Sequence, residues 1–194
     1  MTSDARSRDG PPASRRILDA TRALVARGGA AEVSMGDVAR AAGVSKALVH
    51  YHFRDKESLL QALVDDVGAR IVRRAEAFVA SETTSNVLDR LWEWLDEELR
   101  RGDLRVVLAL AEYDSARVRA AVRRIGDQRR DIAGAHVQHI FTTFALTPRV
   151  PTPLIADTVL AFIDGLAVGT TAFPDRDPRA AYDVLWLSLL TLAE

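Results

Sequence analysis

The sequence predicts an all-α protein of about nine helices, with a small N-terminal three-helix unit and a larger helical body. Three observations carry this. Strand signals are missing, with no long alternating runs of Val, Ile and Thr and no hairpin turn between such runs. The prolines (Pro11, Pro12, Pro148, Pro151, Pro153, Pro174 and Pro178) leave residues 13–147 open to long helices. Apolar residues recur at helical spacing through most of the chain.

Residues 1–12 read as a disordered tail. A first helix covers 14–27, with Ser14 as its cap and Ile17, Ala20 or Thr21 and Leu24 on one face, and Gly28-Gly29 stops it. Ser34 with Asp37 forms the pattern of a capping box for a second, short helix through Ala41. Gly43 allows a left-handed turn, and Ser45 caps a third helix to about His52. Asp55 caps a long fourth helix, about 56–80, with Leu59, Leu60, Leu63, Val67 and Ile71 in register. The fifth covers about 85–101, with Leu88, Leu91, Trp92, Leu95 and Leu99 on one stripe, and Gly102 ends it. The sixth runs about 104–113, and the seventh about 116–145 with a bend near Gly126 or Gly134. Pro148, Pro151 and Pro153 break the chain before an eighth helix at 154–172 and a ninth at 178–192.

Composition narrows the function classes. Hydrophobic residues make up 48% of the 194 and charged residues 27%, ordinary globular values that argue against a disordered or fibrous chain. The absence of Cys excludes disulfides, thiol catalysis and Cys-ligated zinc. No run of about 18 uncharged apolar residues occurs, and the N-terminus lacks the apolar core of a secretory signal. A soluble cytoplasmic protein, with no membrane partner, is the expectation. The net charge of -1 hides an asymmetry. Residues 1–56 carry ten Arg or Lys against six Asp or Glu, whereas the remainder is net acidic. A basic end suggests a polyanionic partner.

The stretch Ser34–Phe53 has what a helix-turn-helix needs: two short helices joined through Ala42-Gly43-Val44-Ser45, with Val38, Ala42, Val44 and Val49 to pin them together. The third helix then turns Ser45, Lys46, Ala47, His50 and Tyr51 outward, donors and small surfaces suited to base edges and phosphates in the major groove. Lys56 follows at the N-terminus of the fourth helix, where backbone N–H groups also favour a phosphate. A helical hairpin with incidental polar residues is the competing reading.

Residues 14–60 closely resemble the DNA-binding region of the TetR family of bacterial transcription regulators. The matching blocks are Ile17-Leu18-Asp19-Ala20 with Leu24 and Gly28, Met35-Gly36-Asp37-Val38-Ala39, Ala42-Gly43-Val44-Ser45, Tyr51-His52-Phe53, and Lys56-Glu57-Ser58-Leu59-Leu60. Asp164-Gly165-Leu166-Ala167 looks like the family's dimerisation region. The family usually has Gly-Thr where this chain has Ala47-Leu48, and Tyr where it has His50; Leu48 cannot offer a hydroxyl to phosphate. The resemblance implies that Lys46 and Ala47 face bases while Ser45, Tyr51 and Lys56 hold the backbone. Arg6, Arg8, Arg15 and Arg16 are read either as an arm on the adjacent duplex or as a solvated tail.

The rest of the chain offers little catalysis: no G-x-S-x-G elbow and no glycine-rich phosphate loop. His136 and His139 stand three apart on one helix, without the further ligands of a metal site, so neither metal nor cofactor is expected. Aromatic residues are frequent on the helices. Trp92, Trp94, Tyr113, His136 and Phe144 are candidates to line a ligand cavity, and the resemblance to TetR proteins implies one in this region. The last two helices are apolar nearly all round, which suggests burial on two sides, and Ile163, Leu166, Trp186 and Leu189 are candidates for a dimer interface.

The expected organisation is a tail at 1–12, a helix-turn-helix DNA-binding domain at 13–56, and a ligand-binding and dimerisation domain at 57–194. The expected function is a homodimeric, ligand-responsive transcriptional regulator and not an enzyme. It would repress from a double-stranded, pseudo-palindromic operator and be released by a small, largely apolar effector. The rival is a small helical enzyme or lipid-binding module that uses the same cavity.

Overall fold

The computed structural model describes residues 11–81, 86–191, 193 and 194. Residues 1–10 of the tail read at 1–12, with Arg6 and Arg8, lie outside the described residues, as does the start of the fifth helix at 85. Among the described residues the chain forms nine helices: α1 (Ala13–Gly28), α2 (Met35–Ala42), α3 (Lys46–His52), α4 (Lys56–Ala80), α5 (Val87–Arg101), α6 (Asp103–Ala111), α7 (Ala116–Thr143), α8 (Thr152–Ala172) and α9 (Pro178–Leu190). Among the described residues one strand-like pairing joins Pro148 to Ala193, so the last residues are tied to the α7–α8 connection.

Local chemistry sets the helix ends. The Ser34 hydroxyl accepts from the Asp37 backbone N–H, and the Ser45 hydroxyl from that of Leu48. Between them Gly43 adopts φ +63°, a left-handed turn that L side chains resist. Asp55 and Ser58 form a full capping box at the start of α4. Two sequence expectations are corrected. Ser14 does not cap α1, which already begins at Ala13 behind Pro12. Pro153 sits inside the first turn of α8, where a missing N–H costs nothing because that turn has no acceptor for it. α7 is one helix with Gly126 and Gly134 inside it.

α1, α2 and α3 pack around Ile17, Val38 and Val49, all fully buried, and close onto Leu59, Leu60 and Leu63 of α4. α4 then continues into the larger body, lies along α7, and meets α1 and α6 on its other sides. α8 packs on α7, and α9 on α8. By length and mean hydropathy (1.5) α8 is apolar enough to cross a bilayer. Yet its Asp157 and Asp164 are ion-paired to Arg130 and Arg129 of α7, as expected of a helix docked on protein.

The α4–α7 crossing is close. A Cβ at Gly68 would overlap the Cγ1–Cδ1 branch of the Ile125 side chain and crowd its Cγ2, and a β-branched residue has little rotamer freedom with which to yield. Gly68→Ala should therefore destabilise the protein by about 1–3 kcal/mol in urea unfolding. A double-mutant cycle with Ile125→Val should give a coupling above about 0.5 kcal/mol. Strict additivity would show that the two helices do not meet at this point.

Candidate nucleic-acid interface and internal cavity

The outer face of α3 is almost entirely free. Ser45, Lys46, Ala47, His50 and Tyr51 are all exposed, and Tyr51, at 82%, is the most exposed large apolar side chain described. Burial of Val49 on the opposite side fixes which face that is. Ser45 spends its hydroxyl oxygen on the Leu48 N–H, which leaves the hydroxyl proton for an outside acceptor. His50 Nδ1 lies 3.4 Å from the Arg54 carbonyl, and Tyr51 packs edge-on against His52. The Ser58 backbone N–H, and then its hydroxyl, hold the Asp55 carboxyl below its usual range, so the α4 cap stays ionised.

Two basic residues depart from expectation. Lys56 is half-buried: its ammonium donates to the Ala31 carbonyl at 2.9 Å and lies 5.1 Å from the Tyr113 ring. It braces the α1–α2 loop against the end of α6. Desolvation accordingly lowers its pKa. Arg15 is no arm, since it reaches Asp19 and Asp66 within the fold. Arg16 is exposed on α1. The sequence reading missed Arg54, exposed between α3 and α4 and engaged in no ion pair among the described residues; its place next to the Asp55 cap was the available signal.

A cavity of about 80 Å³ lies inside the larger body, walled almost wholly by apolar atoms from α4, α5, α6, α7, α8 and α9. Trp94 and His136 line it, with Phe78 of α4 between them: the Phe78 ring stacks on Trp94 at 5.5 Å and meets His136 at 5.3 Å. Three other candidates do not line it. Trp92 sits against Tyr182 and Arg179 instead. Tyr113 is at the Lys56 contact, and Phe144 is 43% exposed at the end of α7. Two charged groups reach the wall, each already matched. Glu98 takes a two-pronged bond from Arg74, at 2.5 and 2.7 Å, and Arg129 bonds Asp164 at 2.6 Å.

Ile163 and Trp186, singled out for a dimer interface, line this cavity instead, and Trp186 and Leu189 are buried inside the single chain. Leu166 is half-buried. The apolar side chains that α8 and α9 leave uncovered are Leu154, Val168, Val184 and Leu187, at 53–67% exposure. On an all-apolar helix, sequence spacing could not choose between the two faces.

The family model described as bacterial regulatory proteins, tetR family, matches residues 17–63, which span α1–α3 and the first turns of α4. The HTH-type transcriptional regulator BetI of Rhizobium meliloti is 29% identical over 118 residues, 59% of this chain and 57% of its own. The chain thus matches little more than half the length of that relative. Among solved structures, a TetR-family transcriptional regulator from Agrobacterium tumefaciens superposes with TM-score 0.78 at 19% identity, over 94% of this chain and 98% of that one. The regulator FadR of Bacillus subtilis, solved in complex with stearoyl-CoA, superposes with TM-score 0.70 at 16% identity, over 91% and 97%. At those identities the superpositions establish the fold.

Burial, and then the neighbouring His139, push the His136 pKa down to about 4. Its folded value lies below the ordinary 6.5, so the neutral ring stabilises the fold fully above pH 6.5. That contribution is lost as pH falls toward 4, because the unfolded chain takes up the proton first; the loss amounts to at most about 3 kcal/mol. His136→Gln should remove this part of the acid sensitivity. Urea midpoints of both proteins at pH 7 and pH 4.5 measure it, and equal losses would place the charge change elsewhere.

Proposed function

We propose that this chain, whose residues 17–63 match the tetR family model, is a ligand-responsive transcriptional repressor of that family. It binds a pseudo-palindromic operator as a homodimer and lets go when a small, largely apolar molecule fills the cavity. The observation that carries this is the pairing, on one helix, of a free α3 reading face at the N-terminal end of α4 and the cavity wall at its C-terminal end.

Residues 13–56 do the reading and 57–194 the sensing and pairing. Lys46 and Ala47 meet base edges, Ser45, His50, Tyr51 and Arg54 meet the phosphate backbone, and Lys56 sets the angle at which α3 is held. One short helix reads only a few base pairs, so useful specificity needs two copies on half-sites about one helical turn apart. The uncovered α8–α9 side chains Leu154, Val168, Val184 and Leu187 supply the dimer surface. Effector in the cavity favours a conformer in which Phe78 and the α4 wall move outward. That requires only different ligand affinity in the two states.

The reading gives no residue a catalytic role and places the protein in the cytoplasm with its DNA. Retention on DNA that falls steeply with salt separates it from a small helical enzyme or lipid carrier.

Two outcomes are expected. Lys46→Ala should cost roughly 1–3 kcal/mol of operator binding and relax the preference at one base position. Selection of bound sequences with both proteins checks this, and an unchanged preference would mean that Lys46 reads no base. Leu187→Asp, exposed in the single chain and hence harmless to its core, should turn the dimer into a folded monomer in sedimentation and abolish operator binding. A variant that sediments as the wild type does would move the interface off α9.

A further inference from the structure

The cavity also restricts the charge of its occupant. We propose that the effector is an uncharged, largely apolar molecule with one hydrogen-bond acceptor, a carbonyl or ester oxygen, which the Trp94 indole N–H receives. This rests on the cavity being the effector site, as read above.

The argument starts from the wall. An ion taken from water into an apolar cavity needs a counter-charge there, or it pays a large desolvation cost. Every ionic group on this wall is already spoken for. Both Glu98 carboxylate oxygens accept from Arg74, and Arg101 lies 3.7 Å from one of them. Arg129, only 10% exposed, is held by Asp164. A ligand carboxylate would have to displace Asp164, and a ligand cation would have to displace Arg74. Either exchange breaks a part-buried ion pair that the fold already holds. His136 adds none, because its ring is neutral at physiological pH.

The hydrogen-bonding groups then decide what the occupant carries. Tyr182 already donates its hydroxyl to the Leu88 carbonyl at 2.7 Å. Trp94 differs. Its Nε1 is buried and has no acceptor among the described residues. Indole N–H is a donor only, and buried donors are nearly always paired. The Trp94 N–H is thus a wall donor still to be satisfied, and there is no ion to match.

Size and access agree with this assignment. At about 80 Å³ the cavity is below the ~300 Å³ and upward of drug-sized sites, so it must open to be filled. Outside it runs a groove of about 340 Å³, and Phe78, Trp94 and Glu98 border both spaces. The stacked Phe78 and Trp94 rings form the partition. The cations of the groove, Arg74 and Arg101, stay on its outer side against Glu97 and Glu98. An acceptor passing the partition meets the Trp94 N–H as the rings part.

The test is a matched panel on one skeleton, titrated calorimetrically into the full chain: methyl phenylacetate, propylbenzene, phenylacetate and benzyltrimethylammonium. The ester should bind tightest, with propylbenzene roughly 2–10-fold weaker for want of one neutral hydrogen bond. Both ions should be at least about 10-fold weaker than the ester. Trp94→Phe keeps the ring and removes the donor, so ester and hydrocarbon should then bind alike. Should that variant fail to fold, the wild-type ranking alone decides. An ion that matches the ester, or an ester preference that survives in Trp94→Phe, overturns the inference and leaves the repressor reading standing. If no probe binds and none changes operator affinity, the cavity is not the effector site and both fall.

Discussion

The continuity of α4 is the constraint on which the rest depends. Its 25 residues make a rod of roughly 37 Å. One end is fixed by the Asp55–Ser58 capping box and by Lys56 on the Ala31 carbonyl. The middle is pressed against α7 where Gly68 meets Ile125. The far end carries Phe78 and Ala75 on the cavity wall. A tilt of about 5° on such a rod moves its end by roughly 3 Å, close to one base-pair rise. A displacement at Phe78 is thus carried to α3, provided that the rod does not bend. No proline or glycine interrupts α4 except Gly68, and there the contact with α7 supports it.

A chain of charges runs beside the rod and joins the same ends. Arg22 of α1 bonds Asp103 at the start of α6, Asp103 bonds Arg74 of α4, and Arg74 bonds Glu98 of α5 on the cavity wall. Arg15 and Arg70 share Asp66 one turn nearer the reading face. Glu98 and Asp103 are almost fully buried, and a buried ion pair gives little net stability over an apolar pair of the same shape. What such a chain adds is discrimination. A shift of α4 that parts Arg74 from Glu98 leaves that buried carboxylate with only the longer Arg101 contact, so the register of α4 against α5 is held by more than apolar packing.

The scaffold was legible in the sequence because its signals are local. Ser45, Gly43 and Asp55 each act within four residues, and Val38 and Val49 show their buried side by spacing alone. The exposed set Ser45, Lys46, Ala47, His50 and Tyr51 follows from the same spacing. The cavity was only half legible. Trp94 and His136 line it, but Tyr113 and Phe144 do not, because which aromatics converge depends on how α5, α7 and α9 cross, and no pattern within one helix encodes a crossing. The roles of Trp186 and Leu187 were hidden for a related reason. Both are apolar and adjacent, and only the packing of α9 on α8 sends one inward and leaves the other exposed. The half-burial of Lys56 was hidden because its partner, Ala31, is a backbone carbonyl, which has no sequence signature.

The closed cavity also bears on how strongly an occupant can act. A wide, preformed pocket would bind its ligand in both conformers nearly alike, and a ligand with equal affinity for two states shifts neither, however tightly it binds. On the proposed reading the free space of about 80 Å³ is too small for an effector until the Phe78–Trp94 stack parts. The closed conformer therefore contributes almost no affinity, and nearly all of the ligand's binding free energy becomes preference for the open one. Part of that energy is spent in breaking the ring stack, an aromatic pair worth about 0.5–1.5 kcal/mol beyond its buried area. The remainder is available to move α4. A tight cavity thus yields weaker binding but more complete coupling, and for a sensor coupling is the quantity that matters.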